Sequence, residues 1–375
     1  MKRVCVFFTA IFLCCFCHTE TNSNSDIPVL DISLDKEVED LTDYIEDVQV
    51  ITLDSGIFVK NANKLLNYSD RFITDELIEF DKSGRLTKRY GNTGRGPGEY
   101  IHVSDICINS SGTELLCLDS QNTVLHYSLK DGSYLKSDKA DMTGITATAI
   151  LPMRDNGFAL VFPNPPMEDI ADFSKDFHCL KVFDSNGTML KEDLPRQDFN
   201  ISMFHSPATQ MADNTYMLYF AIGEGPSYLF NGDSYSSEIN LLLGDKRIPE
   251  KYAFHDGNKN PWLRVGDIFE QDFLKAPGSL CKTDKLYYCS VFGENSSVWN
   301  HVVDMTSGHG ICWKSIGGDF PPMTAIASDN DYLYFSYGET GNSVSDPIGK
   351  LLREKKNLSL SDNDNPVIVK IKFKL

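Results

Sequence analysis

The feature that most constrains this chain is a strand–turn–strand unit that recurs six times. The units start at Leu77 (LIEFDKSGRLTKRYG), Val124 (VLHYSLKDGSYLKS), Leu180 (LKVFDSNGTMLKED), Tyr228 (YLFNGDSYSSEINLLLG), His301 (HVVDMTSGHGICWKS) and Val367 (VIVKIKFKL), 47 to 73 residues apart. A second hairpin of the same style precedes each: KLLNYSDRFITDE, DICINSSGTELLCLD, TAILPMRDNGFALVFP, TQMADNTYMLYFA, SLCKTDKLYYCSVFG and AIASDNDYLYFSYG. Apolar runs on either side of a turn rich in Asp, Asn, Ser or Gly are the hairpin signature. Two hairpins in succession make a four-stranded antiparallel meander. Repetition at this period predicts an all-β, six-bladed β-propeller, its sheets set radially about a central channel.

The last unit, at Val367, has one strand and no partner after it, whereas DVQVITLD (Asp47 to Asp54) is an orphan strand before the first repeat. Pairing the two completes the sixth sheet and leaves no sheet open. Lys370, Lys372 and Lys374 alternate with apolar residues and suit an exposed face of an outer strand. The stretch Tyr90 to Tyr100, YGNTGRGPGEY, joins the first sheet to the second. Its glycines and proline fix a sharp turn. Pro207, Pro277, Pro321 and Pro322 are placed at equivalent junctions. Three insertions interrupt the pattern: Lys246 to Lys275, Gly341 to Pro366 (with room for a short helix) and Phe162 to Phe177. Long loops on a rigid scaffold are where binding residues concentrate.

The chain of 375 residues accommodates one large all-β domain. Lys2 and Arg3 followed by the apolar run Val4 to Cys17 fit a secretory signal, too short to span a bilayer comfortably. Residues 1–17 are therefore assigned to a signal, 18–46 to a polar tether and lead-in, and 47–375 to the propeller. Cys17, followed by HTETNSNSD, is the expected lipidation site; Cys15, a plain secretory cleavage and a retained anchor are the alternatives. The formal net charge of −18 argues against nucleic acid, whose phosphates attract basic surfaces. Six cysteines lie beyond the signal: Cys107, Cys117, Cys179, Cys281, Cys289 and Cys312. The hairpin turns set neither Cys107/Cys117 nor Cys281/Cys289 directly opposite, so buried free thiols are expected. Asp81, Asp131 and Asp184 sit in hairpin turns, where side-chain-to-backbone bonding is expected.

At Gly94, Gly96, Pro97, Gly98, Glu99 and Tyr100 the sequence resembles a known family. It is similar to six-bladed β-propellers, related to NHL-repeat propellers, that are exported lipoproteins of gut Gram-negative bacteria and carry G-x-G-P-G-E-Y/F after the first blade. The likeness in blade pattern runs from about Asp26 to Leu375. It implies fold and export and little about chemistry. NHL propellers elsewhere include protein-binding platforms and a few metal-dependent lyases and lactonases, and fold alone does not choose among them.

Candidate ligand-binding residues are Arg95 and Glu99, a charged pair in the connector, and Tyr252, Phe254 and Trp262, aromatic residues in an otherwise polar insertion. For Arg95 and Glu99 the competing reading is a structural lock on the turn; for the aromatics it is pinning of the insertion. His102 and His205, near connectors, are the candidates for a metal site. No catalytic residue is assigned, because no nucleophile elbow or phosphate loop is present. The expectation is an exported envelope propeller, membrane-attached only through an N-terminal lipid, that binds an envelope protein, a peptide or a glycan. No cofactor is expected for that role. A metal-dependent lyase or hydrolase, with a divalent cation at the channel mouth, is the alternative.

Overall fold

Each apolar hairpin pair of the sequence folds into one four-stranded antiparallel sheet. The computed structural model describes residues 27–375 except 61, 141, 143, 167–168, 170–175, 197–206, 221, 253–265, 295–296, 317–323, 339–345 and 359–363. From the axis outward, blade one is Leu65–Tyr68, Arg71–Thr74, Ile78–Asp81 and Leu86–Arg89. Blade two is Val103–Ile108, Glu114–Asp119, Thr123–Ser128 and Tyr134–Lys139. Blade three is Ala149–Pro152, Phe158–Val161, His178–Phe183 and Met189–Pro195. Blade four contains Ala208–Gln210, Tyr216–Leu218, Gly225–Phe230 and Tyr235–Leu242, and blade five Lys275–Lys282, Leu286–Phe292, Ser297–Asp304 and Gly310–Ile316. Blade six is Ala325–Ser328, Leu333–Tyr337, Val367–Phe373 and, outermost, Ile45–Thr52.

The expected closure is present. Ile45–Thr52 runs antiparallel to Val367–Phe373, with Val48 opposite Ile371 and Val50 opposite Val369. The latch also abuts blade one. The Asp54 N–H donates to Gly84 O at 2.8 Å, and Gly84 sits so close to Thr52 that an added Cβ would lie 2.1 Å from Thr52 O. The lysine expectation is corrected in part. Lys374 is exposed, but Lys370 and Lys372 are half-buried, because Val367–Phe373 is the third strand and the N-terminal strand lies outside it. Pro277 is likewise corrected from a connector into a strand, Lys275–Lys282, where the register shifts on both sides of it. Proline is tolerated there because the innermost strand is an edge with no ladder partner toward the axis.

The segment before the latch is a strap along the rim. Val29–Asp31 adds to blade four as a fifth strand, parallel to Tyr235–Leu242. The Val38 N–H then donates to Cys312 O at 2.8 Å on the outer strand of blade five. The strap's own side chains Leu30, Ile32 and Leu41 are buried. Aromatic side chains fill the spaces between sheets: Tyr288 meets Phe335 edge-on at 5.7 Å, and fully buried Trp313 stacks on Phe373 at 5.8 Å. All six cysteines of the described residues are buried and outside any disulfide; Cys107 faces Leu116 and Cys117 faces Ile106 across their hairpin. Asp81, Asp131 and Asp184 accept backbone N–H bonds from Ser83, Ser133 and Asn186 at 2.9–3.1 Å, as turn chemistry requires. The insertion in blade six contains helix α1, Pro347–Lys356. Asp346 caps it, accepting from the Ile348 N–H at 3.1 Å, and Asn357 ends it in the left-handed region at φ 50°.

Candidate functional site

Strand direction decides where loops emerge. In an antiparallel four-stranded blade, the first and third turns leave one end; the middle link and the link to the next blade leave the other. All six blades are threaded in the same sense, from axis to rim. One face of the ring therefore carries the hairpin turns, such as those between Tyr68 and Arg71 and between Asp81 and Leu86, and at blade six the residues after Phe373 beside the lead-in to Ile45. The other carries the connections from Thr52 to Leu65, Arg89 to Val103, Val161 to His178, Leu242 to Lys275 and Tyr337 to Val367. The glycine–proline connector and the three links that contain the insertions thus leave and rejoin their strands on this loop face. Phe58, Ile101 and Phe269, at 60%, 42% and 37% exposure, belong to three of these connections.

The channel beneath the loop face is crossed by polar side chains. Lys64, at the start of blade one, forms a buried ion pair with Asp105 on the inner strand of blade two. Asp105 also accepts from the Ile150 N–H of blade three at 2.9 Å, and the Lys64 ammonium lies 5.7 Å from the Tyr216 ring of blade four. Burial raises the Asp105 pKa even with Lys64 beside it. Toward the turn face, the Asn67 N–H donates to Gln210 Oε1 at 2.9 Å. That bond joins inner strands of blades one and four, which oppose each other in a ring of six, so it spans the axis. At the loop face, Asn63 donates to Asp75 through its backbone and side chain at 3.2 and 3.3 Å, while burial pushes the Asp75 carboxyl up to about 6. Asn365 bolts two loops together. It accepts from the Val59 N–H at 2.8 Å and donates to Asp54 O and Ile57 O at 2.8 and 2.7 Å.

Of the residues singled out from the sequence, Arg95, Glu99 and His102 share the connector from blade one to blade two, and Tyr252 lies in the insertion after blade four. Glu99 closes its own turn: Oε2 accepts from the Gly96 N–H at 2.7 Å, and Glu99 N–H donates to Gly96 O at 3.0 Å. A Cβ on Gly94 would lie 2.0 Å from that same carboxylate oxygen, which explains the glycine. Tyr127 donates to Gly98 O at 3.1 Å, and Gly98, at φ +74°, packs on the Tyr134 ring. The turn therefore rests on the two outer strands of blade two rather than at the channel mouth, and both Arg95 and Glu99 are exposed. Tyr252 packs edge-on against Phe273 at 5.5 Å. Phe254, Trp262, His205 and Cys17 lie outside the described residues. His102 is exposed, and its backbone carbonyl accepts from the Ser120 N–H. Among the described residues, no three His, Cys, Asp or Glu gather in an arrangement able to hold a metal. Sequence reasoning missed the Lys64–Asp105 pair, although a lone charge inside the apolar run VSDICI was a signal. It also missed His126, which is buried with Glu114 at 2.8 Å and Asp138 at 3.0 Å.

One solved structure shares this architecture. A crystal structure of a candidate exported protein from Bacteroides fragilis superposes with a TM-score of 0.69 at 15% identity, covering 93% of this chain and 99% of that one. The crystal structure of BamB from Moraxella catarrhalis aligns at 11% identity and a TM-score of 0.41, over 79% of this chain and 77% of its own. No curated protein matches the sequence. Among the described residues, no helix is long and apolar enough to cross a membrane. Residues 18–314 match the family described as 6-bladed beta-propeller. With six antiparallel blades and a match over most of its length, this chain belongs to that six-bladed β-propeller family.

Proposed function

We propose that this protein is an exported cell-envelope module whose loop face binds an envelope protein, a peptide or a glycan. The observation that supports it is the segregation of every long connection, with exposed Phe58, Ile101 and Phe269, to one face of the ring. A rigid scaffold that presents long loops and apolar side chains on one side is suited to recognition. The similarity to a candidate exported protein and the signal-like N-terminus support export. We place the lipid anchor at Cys17. The chain enters the rim along blade four from the turn-face side, so an anchor there leaves the loop face directed outward. The stretch from Cys17 to Pro28 spans at most about 40 Å when extended.

Two variants test the binding role against glycan arrays and envelope extracts. Replacement of 246–275 by a short Gly/Ser linker abolishes binding. Charge reversal of Lys130 and Asp131, on the turn face, leaves it intact. Equal binding by both variants overturns the assignment. Incorporation of labelled palmitate, lost in Cys17→Ser, tests the anchor.

A further inference from the structure

The seam where blade six meets blade one carries a cluster that the loop-face reading does not use. Lys82, in the outer hairpin turn of blade one, donates to Asn67 Oδ1, and its ammonium lies 3.9 Å from the Phe72 ring centroid. Lys370, on the third strand of blade six, lies 4.4 Å from the Tyr332 ring and 5.2 Å from the Tyr334 ring. Phe72 and Tyr334 pack edge to face at 6.0 Å and bring the two sets together. Asn67 Nδ2 completes the link by donating to Tyr334 Oη at 3.0 Å. Lys82, Lys370, Asn67 and Tyr332 are all half-buried and reachable from solvent.

Neither lysine of this cluster has a direct ion pair among the described residues, although Asp329 and Asp70 both lie near enough to favour the charged Lys82 amine. Of these, Asp329 already accepts from Tyr334 Oη at 2.5 Å and from the Asp331 and Tyr332 N–H groups at 3.0 and 2.8 Å. Burial, and then the neighbouring Lys370, hold the Lys82 amine down at about 8 against the opposing pull of Asp329 and Asp70. Two ammonium groups beside aromatic rings, one bonded among the described residues only to an amide oxygen, favour a negatively charged guest. The geometry points to a binding site for a small oxyanion, a carboxylate or phosphate group, held between Lys82 and Lys370 at the ring's closing seam. The ammonium groups donate to the oxyanion, and the Tyr332 ring and Asn67 amide border it. This site is separate from the loop face.

The test uses the whole folded protein, with sodium glucuronate and inorganic phosphate as probes in titration calorimetry and thermal unfolding. Saturable binding with a rise in Tm is expected for at least one probe. Kd rises about tenfold or more in both Lys82→Met and Lys370→Met, as loss of a charge-assisted hydrogen bond requires. Lys285→Met, which removes an exposed turn-face lysine elsewhere, leaves Kd unchanged. Lys82→Arg, which keeps the charge, retains binding and covers the case in which Lys82→Met fails to fold. Absence of saturable binding by both probes overturns the proposal, as does binding that survives both methionine variants.

Discussion

Replacing Gly84 with alanine tests whether the ring is latched where the structure places the latch. Gly84 has φ +88°, a region that costs an L-residue about 1–2 kcal/mol. The added Cβ would also stand 2.1 Å from Thr52 O, a main-chain atom at the end of the closing strand, and 3.1 Å from Ile51 Cγ2. Relief demands that the closing strand or the blade-one turn move by roughly 1 Å, at an overpacking cost of about 1–3 kcal/mol. Gly308 supplies the control. It occupies the matching turn of blade five at φ +69°, with nothing within 4 Å of its would-be Cβ. Reduced freedom of the unfolded chain returns about 0.4–1 kcal/mol to both variants alike. Gly308→Ala should therefore lose about 1 kcal/mol and Gly84→Ala about 3. Urea unfolding followed by Trp299 and Trp313 fluorescence and by far-UV circular dichroism measures both. Equal losses would refute the contact between the latch and blade one.

Three further outcomes follow from the buried polar groups. Lys64→Met strands Asp105 in the channel and should cost about 3–5 kcal/mol in urea unfolding, most of it recovered in the Lys64→Met/Asp105→Asn double variant. Asn365→Ala frees one N–H and two carbonyls and should cost about 2–4 kcal/mol by the same assay. Burial holds His301 down at about 3, so the unfolded chain takes up its proton near 6.5 while the folded one resists, and His301 drains stability as pH falls between those values. Asp75 and Asp346, both raised to about 6, act in the opposite sense below pH 6. The comparison with His301→Leu isolates the histidine: the variant should gain about 1.4 kcal/mol on wild type for each unit of acidification from pH 6.5 to 4.

Blades were legible because each strand carries its own signature, apolar residues bounded by turn residues a few positions away. The latch was legible for a related reason, since one strand was left over at each end of the chain. The strap was not. Val29–Asp31 is three residues long and pairs in parallel with residues some 210 positions later, so no local period announces it. The Lys64–Asp105 pair and the Lys82–Lys370 cluster assemble across blades, and only the ring's curvature brings them together. Pro277 was misplaced because proline reads as a strand breaker, a rule that lapses on an edge facing the axis.

The strap has a mechanical consequence. Val29–Asp31 lies parallel to its neighbour, and Pro28 O still accepts from the Asn240 N–H at 2.8 Å upstream of it. Tension applied at the N-terminus is thus directed along the strand axis. It loads those bonds in shear, all at once, rather than unzipping them singly. The closing strand lies further down the chain, shielded from the pull until blade four lets go.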